Sequence, residues 1–128
     1  MKLTAHLKTV QSLISRQELI KVRGFQVAPT ELEGVLLSHP DIVDCAVIGI
    51  KFGRDESELP RAYVVRRSGN GVELTEEAVK NYLSERLVYY KHLHGGVVFL
   101  DAVPKTASGK ILKKLLREQA AREIGPRL

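Results

Sequence analysis

The run "VPKTASGKILKKLLREQ" holds the residues best suited to chemistry. Its small-residue stretch, Thr106-Ala107-Ser108-Gly109, delivers Lys110 to the predicted start of a helix. A phosphate-wrapping loop of the Walker type needs Gly, four residues, then Gly-Lys-Ser/Thr. Its backbone N–H groups enclose the phosphates and its hydroxyl binds Mg2+. Here Pro104 stands at the first glycine position and Ile111 at the hydroxyl position. Both departures are disabling, which excludes a free-standing nucleoside triphosphatase. What remains is a long cation on a stiff stalk, with Pro104 rigidifying the loop and Ile111 and Leu112 anchoring it. Such a group can reach into another domain's site and neutralise charge that develops there. The alternative is an ordinary solvated lysine.

A second candidate is "LIKVRGFQVAP". A glycine at a ribbon turn, Gly24, lets backbone approach a ligand closely, with Lys21, Arg23 and Gln26 nearby. The period of two places Lys21 and Arg23 on one face of a strand. Basic hairpins are also common on protein surfaces, so this pattern alone decides nothing. His92 and His94 form an H-x-H pair, but no third ligand has suitable spacing and no metal site is expected. Tyr89-Tyr90-Lys91 could stack bases, yet no second aromatic platform accompanies it in sequence, and packing is the expected role. Cys45 is the single cysteine and lies in an apolar run, so it reads as a buried filler. One cysteine allows neither a disulfide framework nor a thiolate metal site.

These groups need elements to hold them. Leu3, Leu7, Val10 and Ile14 have helical spacing, which predicts a short amphipathic lead-in over residues 1–15. "ELIKVRGFQV" reads as two short extended pieces around Gly24. Pro29 suits a first helical turn, with Glu31 and Glu33 at its dipole-favoured end and Leu32, Val35 and Leu36 facing inward. "VDCAVIGI" and "RAYVVRR" are strands, joined by the polar "KFGRDESEL"; Ser68-Gly69-Asn70-Gly71 is a turn. Thr75 caps a helix whose apolar face is Ala78, Val79, Tyr82, Leu83 and Leu87. "GGVVFL" is a third strand. The last helix is expected from Ile111 to the stop at Gly125-Pro126. The fold class is therefore α+β: a small, about three-stranded sheet covered by helices and preceded by a two-stranded β-ribbon.

The 128 residues, 44% apolar and 27% charged, suit one soluble globular domain with its own core. No apolar run approaches the roughly 20 residues of a membrane span. The net charge of +5 favours a polyanionic partner, and nucleic acid, anionic membrane and phosphorylated cofactors all satisfy it. Lys113, Lys114 and Arg117 are expected to form a solvated helix face. An intracellular, cytoplasmic setting fits. Lys2, Lys8 and Arg16 among Ser and Thr, with no acid before Glu18, loosely resemble an organelle transit peptide.

Taken in order, "ELIKVRGFQVAPTELEGVLLSHPDIVDCAVIGI", "ELPRAYVV", "LTEEAVKNYLSERL" and "YKHLHGGVVFLDAVPKTASGKILKKLLRE" resemble the C-terminal domain of adenylate-forming enzymes. The 4-coumarate–CoA ligase-like and related acyl-CoA ligases are the nearest match. The resemblance implies that residues 16–128 are a lid domain whose large N-terminal ATP-binding domain is absent, and that the chain alone is inactive. It implies ATP and coenzyme A as cofactors of the parent enzyme, with Mg2+ accompanying ATP in the absent domain and nothing bound by this chain alone. The implied partners are an N-terminal adenylation domain, a carboxylic acid and coenzyme A, with no nucleic acid. Lys110 matches the lysine that contacts the reacting carboxylate and α-phosphate oxygens while the acyl-adenylate forms. Lys21 and Gln26 match residues that contact AMP or the adenylate. Arg23 and Gly24 match positions beside the pantetheine arm, on the face presented after the lid rotates. Three positions depart from the family pattern. Ser15-Arg16-Gln17 lacks the usual acidic hinge residue, Arg23 replaces a more usual lysine, and His94 stands where arginine is common. An adenylation module serving a carrier protein, or a basic nucleic-acid-binding domain, are the alternative functions.

Overall fold

Side chains alternate across a strand, so a strand apolar at every position must be covered on both faces. "CAVIGI" (45–50) and "AYVV" (62–65) have that composition, and the architecture follows from it. The computed structural model describes residues 19–51, 57–68 and 73–124. The lead-in helix, the Ser15-Arg16-Gln17 stretch, the middle of the polar linker, the tip of the 68–71 turn and the Gly125-Pro126 stop lie outside these residues.

Strands β1 (Ile20–Val22) and β2 (Phe25–Val27) form the antiparallel ribbon, with Lys21 opposite Gln26. Helix α1 (Pro29–Leu37) follows, with proline in its first turn as expected. Strands β3 (Ile42–Ile50), β4 (Leu59–Arg66) and β5 (Val97–Phe99) form a three-stranded sheet in that order. β3 is antiparallel and β5 parallel to the central β4. Helix α2 (Glu76–Ser84) makes the crossover that a parallel pair requires. Thr75 caps it by accepting the Ala78 N–H at 3.1 Å. α2 buries Val79 and Leu83, whereas Ala78, expected on the apolar face, is exposed.

Pro60 lies inside the central strand, one residue earlier than the sequence reading began it. Ala62 donates its N–H to Gly96 on the β5 side. Two residues earlier, the N–H that proline lacks would face the same side, ahead of the start of β5, so no ladder bond is lost.

Two apolar clusters lie on opposite faces of this sheet. Cys45, Val47, Ala62 and Val64 face α1, α2 and the ribbon, packing with Leu32, Leu36, Val79, Leu83, Ile20, Val22 and Val27. Ala46, Ile48, Ile50 and Tyr63 face the other way, against Val103, Leu116 and Ala120. Leu116 and Ala120 belong to helix α3 (Lys113–Ile124).

Each outer strand of the sheet also meets a glutamate from a covering helix. Glu33 of α1 accepts the Val47 N–H of β3 at 2.9 Å. Glu76 of α2 accepts the Val97 N–H of β5 at 3.0 Å. That bond holds the Glu76 carboxyl below its ordinary value of 4.5, with help from Lys80.

Candidate functional site

Lys110 sits in a hairpin, and not at a helix start as the sequence reading had it. Lys105 and Ile111 pair as an antiparallel bridge. Between them the Thr106 N–H donates to the Lys110 carbonyl at 2.8 Å, and the Lys110 N–H donates to Thr106 Oγ1 at 3.1 Å. The Gly109 N–H closes back on the Thr106 carbonyl at 2.9 Å, with Gly109 at φ 91, a conformation suited to glycine. The Leu112 N–H donates to the Pro104 carbonyl, so α3 begins only at Lys113. The expected anchor holds in part: Ile111 packs against the Val103–Leu116 cluster, while the side chain of Lys110 is exposed. No described residue pairs with its ammonium.

The hairpin base has a second hold. Lys105 Nζ lies 2.6 Å from Asp44 Oδ2 on β3, and Asp44 Oδ1 accepts the Cys45 N–H at 2.9 Å. The expected solvated face of α3 needs correction. Lys114 and Arg117 are exposed, but Lys113 is only 8% exposed and forms an ion pair at 3.0 Å with Glu33, itself 12% exposed. Glu33 thus reaches from α1 on one face of the sheet to α3 on the other, past the edge of β3.

The ribbon carries the other candidates. Lys21 and Gln26 are exposed partners on its outer side, while Ile20, Val22 and Val27 are buried. Arg23 and Gly24 form the turn, with φ 49 and 88. Positive φ at both central residues is the signature of a type I′ hairpin. Arg23 is therefore outside the strand and does not share a strand face with Lys21. For a non-glycine residue this conformation is uncommon and costs roughly 1–2 kcal/mol, and such strain often marks functional positions. Neighbouring residues fix the turn: Ser57 Oγ accepts the Arg23 N–H at 2.8 Å, and Glu58 exchanges two hydrogen bonds with the Lys21 backbone. Phe25 stacks on Tyr90 with ring centroids 3.9 Å apart, and Lys91 is bound to Glu31 at 2.8 Å. Tyr90 packs, as expected, on an aromatic partner far away in sequence, whereas Tyr89 stays exposed.

The remaining candidates are accounted for locally. His92 and His94 use their Nε2 atoms on the Leu87 and Tyr89 carbonyls. Among the described residues no group of three His, Cys, Asp or Glu could hold a metal ion. No helix among them is long and apolar enough to cross a membrane. Cys45 is buried, and burial, followed by the Glu33 and Asp44 carboxylates, pushes its thiol up to about 12. It is a packing residue and not a nucleophile.

Lys110 and the ribbon residues do not converge on one pocket. The hairpin is anchored in the cluster on one face of the sheet and the ribbon in the cluster on the other.

Comparison with known proteins gives a consistent result. Residues 31–110 match the family described as AMP-binding enzyme C-terminal domain. A phenylacetyl-CoA ligase of Aspergillus niger is 54% identical over 104 residues, which is 81% of this chain and 19% of the ligase. A 4-coumarate-CoA ligase of Narcissus pseudonarcissus is 51% identical over 109 residues, covering 84% of this chain and 19% of that enzyme. Among solved structures, a Mycobacterium tuberculosis fatty acyl CoA synthetase superposes with a TM-score of 0.73 at 34% identity, over 84% of this chain and 20% of its own. The chain spans about one fifth of the length of each of these relatives.

Proposed function

The chain belongs to the AMP-binding enzyme C-terminal domain family, and from that premise we propose that it is the lid of an acid–CoA ligase. The parent would join a carboxylic acid to ATP as an acyl-adenylate, releasing pyrophosphate, and then transfer the acyl group to the coenzyme A thiol. The curated relatives are named as CoA ligases, which favours coenzyme A over a carrier protein as acceptor. The domain itself is residues 16–128, with residues 1–15 as a lead-in.

The observation that carries this reading is the placement of two exposed basic elements on opposite faces of one sheet. A lid with two working faces can serve two half-reactions in turn. In the first, the Lys110 ammonium meets the carboxylate and α-phosphate oxygens as they crowd together, offsetting their charge. Lys21 and Gln26, side by side on the ribbon, face the AMP part of the adenylate once the ribbon side is presented. In the second, the Arg23-Gly24 turn lies along the pantetheine arm, and the absence of a side chain at Gly24 leaves room for it. Any Mg2+ that accompanies ATP would be held by the large domain.

The test joins this chain to the large domain of the Aspergillus niger phenylacetyl-CoA ligase. Lys110→Ala should slow acid-dependent pyrophosphate release by about 10²–10³-fold and spare thioester formation from supplied acyl-adenylate. Lys114→Ala is the charge control, because Lys105 and Lys113 are both committed to ion pairs. Equal slowing by Lys114→Ala, or equal loss of both half-reactions in Lys110→Ala, overturns the assignment.

A further inference from the structure

The geometry points to Lys105 and Asp44 as positioning residues for Lys110, joined in a tether that fixes the pose of the catalytic hairpin; this rests on the function proposed above. The hairpin is short and its internal bonds nearly all involve Thr106. Those bonds fix its shape but not its orientation on the domain. Orientation depends on what holds its two ends. On the outgoing side Ile111 is seated in the apolar cluster. On the incoming side Lys105 reaches Asp44 on β3. Two attachment points on different elements stop the hairpin pivoting about Ile111.

Asp44 is well suited to this task. Its Oδ1 is occupied by the Cys45 N–H, so the carboxylate cannot swing, and its Oδ2 faces the Lys105 ammonium. The charge of Lys105 is thereby neutralised where it sits, and it supplies no second cation to the oxygens that Lys110 would meet. The ion pair is partly exposed, at 37% for Lys105 and 27% for Asp44. Pairs of this kind contribute little to stability, so removing one partner leaves the domain folded. Misplacing a catalytic group by about 1 Å, by contrast, can cost on the order of 100-fold in rate.

The experiment uses the joined enzyme with Lys105→Met, Asp44→Asn, the double variant, and Lys105→Arg. Either single variant should lower turnover in the adenylation half-reaction by about 10-fold, with KM for ATP changed less than about twofold. The double variant should be no slower than either single one, because both remove the same tether. Lys105→Arg keeps the pair and should recover most of the rate. Thioester formation from supplied acyl-adenylate should be unchanged throughout. In the present chain without its partner, Lys105→Met should speed hydrogen exchange at the Thr106, Gly109 and Lys110 amides and leave β4 unaffected. If Asp44→Asn leaves adenylation intact while Lys105→Met slows it, Lys105 acts directly and the tether is wrong. Slowing of both half-reactions alike, or no slowing by either variant, also overturns it. Lys110→Ala in the same enzyme separates the two claims. If it spares adenylation, the proposed function falls; if it alone cripples adenylation, only the tether falls.

Discussion

On one face of the sheet, the Lys105–Ile111 hairpin is held by hydrogen bonds within itself, by one packed residue, Ile111, and by the Lys105–Asp44 ion pair. On the other face, the β1–β2 ribbon is seated by three buried side chains, Ile20, Val22 and Val27, and its turn is bound by Ser57 and Glu58. The hairpin places its positive φ at a glycine, where it costs little; the ribbon places one at Arg23. A ribbon with many supports can sustain a strained arginine, and a hairpin with few supports cannot afford strain at the residue beside its lysine. The difference predicts separate sensitivities: the hairpin to loss of a tether, the ribbon to changes in its own turn.

The largest effect should come from a contact that joins the two faces, the Glu33–Lys113 pair. Glu33→Ala removes an ion-pair partner of buried Lys113 and the acceptor for the Val47 N–H together. It should destabilise the chain by about 3–5 kcal/mol, read from urea denaturation of the isolated chain. A loss below about 1 kcal/mol would mean that the faces are joined by packing alone.

The ribbon can be tested without touching the hairpin. A side-chain carbon added at Gly24 would meet no atom within 4 Å, so any cost there is backbone strain. Gly24→Ala should cost roughly 1 kcal/mol of stability. In the joined enzyme it should slow thioester formation by about 10-fold while adenylation keeps its rate. Equal slowing of both steps would erase the distinction between the faces.

Much of this division was legible in the sequence, and where it was not the reasons are physical. Pro29 and Thr75 mark helix starts through local chemistry, and both served as read. The apolar runs within β3 and β4 announced strands of a sheet covered by helices. Ile111 and Leu112 looked like a helix because apolar spacing cannot register a bridge to Lys105 or a bond to Pro104. Arg23 looked like strand because the usual type I′ turn carries Asn or Asp before its glycine. Lys113 and Lys114 are indistinguishable as letters; only the distant Glu33 makes one a buried partner and leaves the other in solvent. Each candidate site residue was nameable, but the tether to Asp44 was not, since it pairs residues with no shared motif.

The smallest expected effect concerns acid. Glu76 has a depressed carboxyl pKa in the folded chain, caused first by the Val97 N–H. The stability it contributes is present above the ordinary carboxylate value of 4.5 and is lost as pH falls through the lower, folded value. Glu76→Gln keeps an acceptor for Val97 but cannot titrate. Its unfolding free energy should fall less between pH 5 and pH 3 than that of the unaltered chain. Because Glu76 is exposed to solvent, the change should be modest. Identical acid profiles would show that the bond does not depend on charge.

The two glutamates bound to Val47 and Val97 carry a further consequence, for how copies of this chain behave together. A small sheet with open sides offers rows of unpaired N–H and C=O groups on which another strand can grow. Here each outer strand has a backbone donor occupied by a carboxylate that belongs to the same molecule. An incoming strand would have to displace a charged acceptor on either side before it could add to the ladder. At high concentration, Glu33→Ala and Glu76→Ala chains should therefore form cross-β aggregates sooner than the parent, each by recruitment along its own uncovered margin.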